Sequence, residues 1–347
     1  MKTAGALTKN LIDIPAEARE LEQLGADIGS TLEIGHDPLM QLAMAATSTQ
    51  RIKLMTGITV AFARSPMTLA LAAHDVNALS KGRLMLGIGS QIKPHIEKRY
   101  SMPWSKPASR MREYVLAMKA IWACWYEGVP LDFRGEFYQH SLMTPMFTPP
   151  DGDYGAPPVL VAAVGPLMTE NAAEVADGIL LHSFTTQEYI REVTLPAVQA
   201  GLEKSGRSRS ELEIVGAPFF VTGSTEEEFQ QVKNAACNQI AFYGSTPAYR
   251  GVLDSIGYGE LQPELTALSK AGRWAEMGQL IDDSLLDRLA LVGEPAEITR
   301  KLSQRFGDVF DICAASVFTG DAYSAGEFNT AVAEAIKRTA DPDAARD

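Results

Sequence analysis

Cysteine is scarce. The 347-residue chain carries three, Cys124, Cys237 and Cys313, far apart in sequence and never as a CxxC pair. A dithiol redox motif or a thiolate zinc site is therefore unsupported. The cysteines read as small, reduced core residues of a cytoplasmic protein. Histidine is limited to His36, His74, His95, His140 and His182, with no HExxH or HxH pattern to suggest a metal. The N-terminus, MKTAGALTKNLIDIPAEARE, lacks the basic and apolar regions of a signal peptide. No apolar run approaches the ~18 residues needed to span a bilayer. Positive charge is also short: 31 Lys and Arg against 43 Asp and Glu give a net charge of −12. That argues against nucleic acid and anionic membrane surfaces as partners, and an anionic ligand would need a local basic pocket. No Ser-His-Asp or GxSxG signature is present. The nearest dinucleotide fingerprint, Gly87-Ile88-Gly89, has Ile92 where a third glycine belongs.

What is present is alternation. The chain is 46% hydrophobic and 21% charged, enough for a large core. Strand-like runs at residues 4–8, 26–34, 53–62, 82–90, 157–165, 177–183, 212–224 and 308–320 are mostly followed by helical runs. Asp37-Pro38 and Ser65-Pro66 are helix starts. The predicted fold is α/β, a (β/α)8 TIM barrel, with an open doubly wound sheet as the alternative. One barrel domain over 1–340 is expected. It carries a hairpin insert at 128–156, turning near Arg134-Gly135, a variable cap at 244–288 suited to a mobile lid, and a frayed tail at 341–347. Residues 244–292 carry no clear pattern. Gly57 stands in the middle of KLMTGITVAF, where it weakens an otherwise good strand.

A barrel places chemistry at the C-terminal strand ends. This selects Glu33, His36 and Asp37 after the second strand, Thr56, Gly57 and Ile58 on the third, and Gly89, Ser90, Gln91, Lys93 and His95 past the fourth. Ala162, Ala163, Val164, Gly165 and Pro166 end the fifth strand, and His182 with Ser183 the sixth. Asp37 reads as a helix cap and His74 as structural. The small residues before Pro166 suit either an anion at a helix start or a plain tight turn.

HDPLMQLAMAATSTQRIKLMTGITVAFARSPMTLALAAHDVNALSKGRLMLGIGS resembles the bacterial luciferase-like monooxygenase family, as do PPVLVAAVGPLMTENAAEVADGILLHSF, FRGEFYQH and VGEPAEITRKLSQRFG. KPHIE after the fourth strand is most similar to the branch that uses coenzyme F420, an 8-hydroxy-5-deazaflavin. The resemblance implies a luciferase-like (β/α)8 barrel and an F420-dependent oxidoreductase that transfers a hydride between the deazaflavin C5 and a small or medium organic substrate. The alternatives are an FMNH2-dependent monooxygenase and a non-catalytic flavin-binding protein. It implies a homodimer. It implies a bulge at the third strand with a cis Gly57–Ile58 bond, and a ring bordered by Thr56, Gly89, Ser90 and Gln91, with His182 among the cofactor contacts. The phosphate end would rest on Ala162–Pro166. Cations for the polyanionic tail would come from Lys93, Lys98, Arg99, Arg110 and Arg112. Glu33 would take the family's acidic catalytic position and His36 that of its histidine, with His95 as a second proton donor or acceptor. The Glu33-Ile34-Gly35-His36 spacing departs from the adjacent Asp-His pair of the sugar-phosphate dehydrogenases.

Overall fold

The computed structural model describes residues 1–150, 152–314 and 316–317. Its fold is a (β/α)8 barrel. Along the chain run β1 (Lys2–Ala6), α1 (Ile14–Gln23), β2 (Ile28–Thr31), α2 (Pro38–Ser48), β3 (Lys53–Thr56), β4 (Thr59–Val60), α3 (Pro66–Leu79), β5 (Leu84–Gly89) and α4 (Pro107–Glu127). The hairpin β6 (Phe133–Arg134) and β7 (Gln139–His140) follows, then β8 (Val159–Ala163), α5 (Pro166–Val175), β9 (Gly178–Leu181), α6 (Gln187–Tyr189), α7 (Leu195–Ser205), β10 (Glu213–Gly216) and β11 (Phe219–Val221). The remainder comprises α8 (Glu226–Gly244), α9 (Arg250–Asp254), α10 (Leu261–Lys270), α11 (Trp274–Met277), α12 (Asp283–Leu289), β12 (Ala290–Val292), α13 (Pro295–Phe306), β13 (Ile312–Ala314) and β14 (Ser316–Val317). The chain divides into two compact units: Leu7–Leu180 with Ala197–Glu213, and Met1–Ala6 with Leu181–Pro196 and the chain from Ile214 onward.

In the first unit the strands pair in parallel: β2 with β3, β3 and β4 with β5, and β5 with β8. Every residue of β5 is buried. Gly87 is required there. A Cβ on it would lie 1.8 Å from the Thr56 carbonyl oxygen and 2.7 Å from Leu180 Cδ1. The same close approach lets the Thr56 hydroxyl donate to the Gly87 carbonyl at 2.6 Å. The helix starts are as the sequence predicts. Asp37 accepts from the N–H groups of Leu39 and Met40 at 2.9 and 3.2 Å, and Ser65 from that of Thr68 at 3.1 Å. Arg83, just before β5, staples the far end of α2. It donates to the carbonyls of Ala46, Thr49, Ile52 and Ser80 at 3.0, 3.1, 2.7 and 2.7 Å. The hairpin is antiparallel, with Phe133 opposite His140, and Glu113 of α4 holds its turn by accepting from the N–H groups of Glu136, Phe137 and Tyr138.

In the second unit β13 lies between β1 and β10, and β11 between β12 and β14, all parallel. The 244–288 stretch has regular structure. It forms helices α9 to α12, and its Val252, Leu253, Leu265, Met277, Ile281 and Leu285 are buried in one core with Phe184, Phe219 and Ile240. No described helix is long and apolar enough to cross a membrane. The tail at 341–347 lies outside the described residues.

Candidate functional site

In the first unit the third strand is interrupted where its glycine stands. β3 ends at Thr56, β4 starts at Thr59, and the Gly57–Ile58 peptide between them is cis. The Gly57 N–H donates to the Thr31 carbonyl at 2.7 Å, and a Cβ on Gly57 would meet Ser30 Oγ at 3.1 Å. Thr56 is fully buried and its hydroxyl is committed to Gly87, so its side chain is not available to a ligand. Gly89 packs against Ile58, whose Cδ1 a Cβ there would approach to 3.0 Å. Gln91, directly past the strand, has a left-handed backbone at φ 61°, unusual for a residue with a side chain. The Ser90 hydroxyl donates to the Gln91 carbonyl at 3.1 Å. Lys93 is exposed and pairs with Glu97.

Glu33 is the best-anchored group of the set. Its carboxylate accepts from the Val60 N–H at 2.7 Å, from Arg64 Nη1 at 2.8 Å and from the Tyr100 hydroxyl at 3.0 Å. Its side chain is 7% exposed. Arg64 also reaches Asp37 through Nη2 at 2.7 Å. Burial opposes the charge on Arg64, but Glu33 and Asp37 outweigh it and hold the guanidinium above its ordinary pKa. Burial, then the charge of Glu33, pushes the Tyr100 phenol up as well. Arg99 lies over the Tyr100 ring, 5.0 Å from its centre, and donates to the Ile34 carbonyl at 3.0 Å. Three donors from separate segments hold the carboxylate in place. This geometry suits an anchor better than a proton carrier. His36 and His95 are both exposed, and their imidazoles hydrogen-bond to none of the described residues. Arg64 and Tyr100 were not selected by strand-end position. The signal available was an arginine closing an apolar run and a tyrosine following three charged residues.

The start of α5 is open. Gly165 is its N-cap, supplies no side chain to the first-turn N–H groups, and has nothing within 4 Å of where its Cβ would be. Ala162, Val164 and Gly165 are half-buried, Ala163 is buried and Pro166 is exposed. Such a terminus presents N–H groups and a positive dipole end to an anion.

In the second unit His182 directly follows Leu181, the last residue of β9. Its Nδ1 accepts from the Phe184 N–H at 3.0 Å, so the ring proton sits on Nε2. The imidazole packs edge-on to Tyr243 and tilted on Tyr249, at centroid distances of 4.5 and 4.8 Å. Burial lowers its pKa to about 4, keeping it neutral near pH 7. Burial, then the neighbouring Tyr243, raises Tyr249 to about 12. The arrangement presents a neutral N–H donor framed by phenols. No cluster of three or more His, Cys, Asp or Glu among the described residues is placed to hold a metal.

Residues 2–311 match the family described as luciferase-like monooxygenase. An uncharacterized protein of Mycobacterium tuberculosis is 49% identical over 311 residues, covering 90% of this chain and 92% of that one. A putative coenzyme F420-dependent oxidoreductase of the same organism is 28% identical over 299 residues, covering 81% and 84%. Among solved structures, a coenzyme F420-dependent tetrahydromethanopterin reductase from Methanopyrus kandleri superposes with a TM-score of 0.78 at 19% identity, covering 98% of both chains. The barrel order, the interrupted third strand and the match over nearly the whole described chain agree: the chain belongs to the luciferase-like monooxygenase family.

Proposed function

We propose that the protein is an F420-dependent oxidoreductase that moves a hydride between the deazaflavin and a small or medium organic substrate. The observation that carries this reading is the likeness to a putative F420-dependent oxidoreductase over 81% of the chain. The residues present fit the cofactor's phosphate. The uncapped start of α5, with open space at Gly165, is the cradle such a group needs. The deazaflavin would supply hydride donation or acceptance; the protein supplies position and electrostatics. Gly57, Ile58 and Gln91 offer half-buried backbone along the strand ends, over the buried Thr56 and Gly89. Glu33 and Arg64 fix the end of β4 at Val60. Hydride transfer to a carbonyl leaves charge on oxygen. His36 and His95 are the exposed groups left to exchange a proton with it.

The test is a titration of the purified protein with oxidised F420 and, separately, with FMN, followed by hydride exchange from the reduced cofactor to a panel of carbonyl and imine acceptors. F420 affinity in the micromolar range with turnover is expected. Micromolar FMN affinity with none for F420 would reverse the cofactor assignment to a flavin monooxygenase. Cofactor binding without exchange on any acceptor would leave a binding protein.

A further inference from the structure

Seven cations follow β5 on its loop and on α4. Lys106 pairs with Glu136 and Lys119 with Asp177. Lys93 pairs with Glu97, Arg99 donates to Ile34, and Arg112 pairs with Glu174. Lys98 stands in solvent. Arg110 differs from all of them. It is only 6% exposed, and no carboxylate lies within ion-pair distance among the described residues. Its Nε donates to the Tyr138 hydroxyl at 2.7 Å and its Nη1 to the Pro103 carbonyl at 2.6 Å. Its guanidinium carbon lies 4.5 Å from the centre of the Phe62 ring and 5.4 Å from that of Tyr138. Ring faces and neutral oxygens disperse a charge but do not cancel it.

The obvious counter-ion is occupied elsewhere. Glu113, one turn along α4, accepts from the N–H groups of Glu136, Phe137 and Tyr138 at 2.8, 2.7 and 2.6 Å. Of the five N–H bonds of a guanidinium, Arg110 uses two, which leaves one on Nη1 and both on Nη2. Nη2 makes no hydrogen bond among the described residues, yet is not sealed off, so it reaches solvent. The backbone beside it is unusual. Ser101 and Lys106 have φ of 56° and 35°, a region non-glycine residues avoid unless the surroundings hold them there. The start of α4 has no side-chain cap, so its positive end faces the same segment unneutralised.

We propose that Arg110 receives an oxyanion, a carboxylate or a phosphate, where the 100–106 segment meets the start of α4. The free Nη1 and Nη2 edge forms the fork that binds two oxygens of such a group, and Trp104, edge-on to Phe62 at 5.7 Å, stands beside it. The site stands whichever cofactor the protein takes.

Calorimetric titration of the full-length protein with sodium phosphate, and separately with sodium glutarate, tests it, with chloride balancing ionic strength. Saturable binding of at least one anion in the millimolar range is expected, and the arm that binds identifies phosphate or carboxylate as the source. Arg110→Lys keeps the charge but not the fork, and should weaken binding about tenfold or more. Arg110→Met should abolish it. Absence of saturable binding of either anion to the parent overturns the proposal. So does unchanged affinity in a folded Arg110→Lys variant, which decides the matter if Arg110→Met does not fold.

Discussion

His182 stays neutral in the folded chain down to about pH 4, because burial penalises the imidazolium. In the unfolded chain the same group titrates near ~6.5. Between those values the unfolded state binds the proton and the folded state does not, so stability rises with pH and is lost as pH falls through the window. This group alone should remove about 2 kcal/mol between roughly pH 7 and pH 5, and His182→Gln should be spared that part of the loss. Urea denaturation of both proteins at the two pH values checks it. Gly87 makes a sharper claim. With 1.8 Å between its hypothetical Cβ and a backbone oxygen, no rotamer change can relieve the clash. Gly87→Ala should cost about 3 kcal/mol or more, read as a fall in melting temperature or failure to accumulate folded protein. At this scale the sequence was legible where function is local. Asp37 caps α2 as its place before Pro38 implies, and the glycine inside KLMTGITVAF marks a real break with a cis bond. Glu33 was legible as a strand-end acid but not as an anchor. Its partners Arg64 and Tyr100 lie 31 and 67 residues away, and no spacing rule connects them.

Among elements, Arg83 carries more backbone carbonyls than a lysine could. Arg83→Lys keeps the charge and loses the fork that closes α2 against the start of β5. With a typical buried bond worth about 1 kcal/mol, the variant should lose about 2–3 kcal/mol, measured by chemical denaturation. Helices with an N-cap and a clear apolar stripe were readable. Strand ends were less so. The first strand runs over Lys2–Ala6 rather than 4–8, because pairing of Lys2 with Ile312 sets its start. The last predicted strand, 308–320, starts only at Ile312 and appears as β13 and β14; residues 308–311 lie in a turn before it, and residue 315 and residues 318–320 lie outside the described residues. The 244–292 stretch hid short helices of four to ten residues. Such helices are too short to be stable alone and are held by the apolar core around α8, which local pattern does not display.

For the molecule as a whole, the barrel was readable from alternation alone, because eight strand–helix steps leave few other topologies. The cofactor was not; it came from family likeness, since strand-end glycines and an open helix start suit any phosphate-bearing flavin. A net charge of −12 has its own consequence for an anionic ligand. The protein repels it at long range, and that repulsion fades as the Debye length shrinks from about 30 Å at 0.01 M salt to about 8 Å at 0.15 M. The association rate of F420 should therefore rise with salt over this range, roughly twofold, in stopped-flow fluorescence; a fall would mean local cations dominate the approach. The Glu33 carboxylate sets a last constraint at this scale. Through Val60, Arg64 and Tyr100 it ties together the segments that follow β2, β4 and β5. Segments bound to one common point cannot drift independently. An insertion or substitution that re-aims one of them must either keep its contact with Glu33 or release the other two. Descendants that change substrate by remodelling these turns would therefore have to change them together, while the open start of α5, outside that knot, stays free to vary by itself.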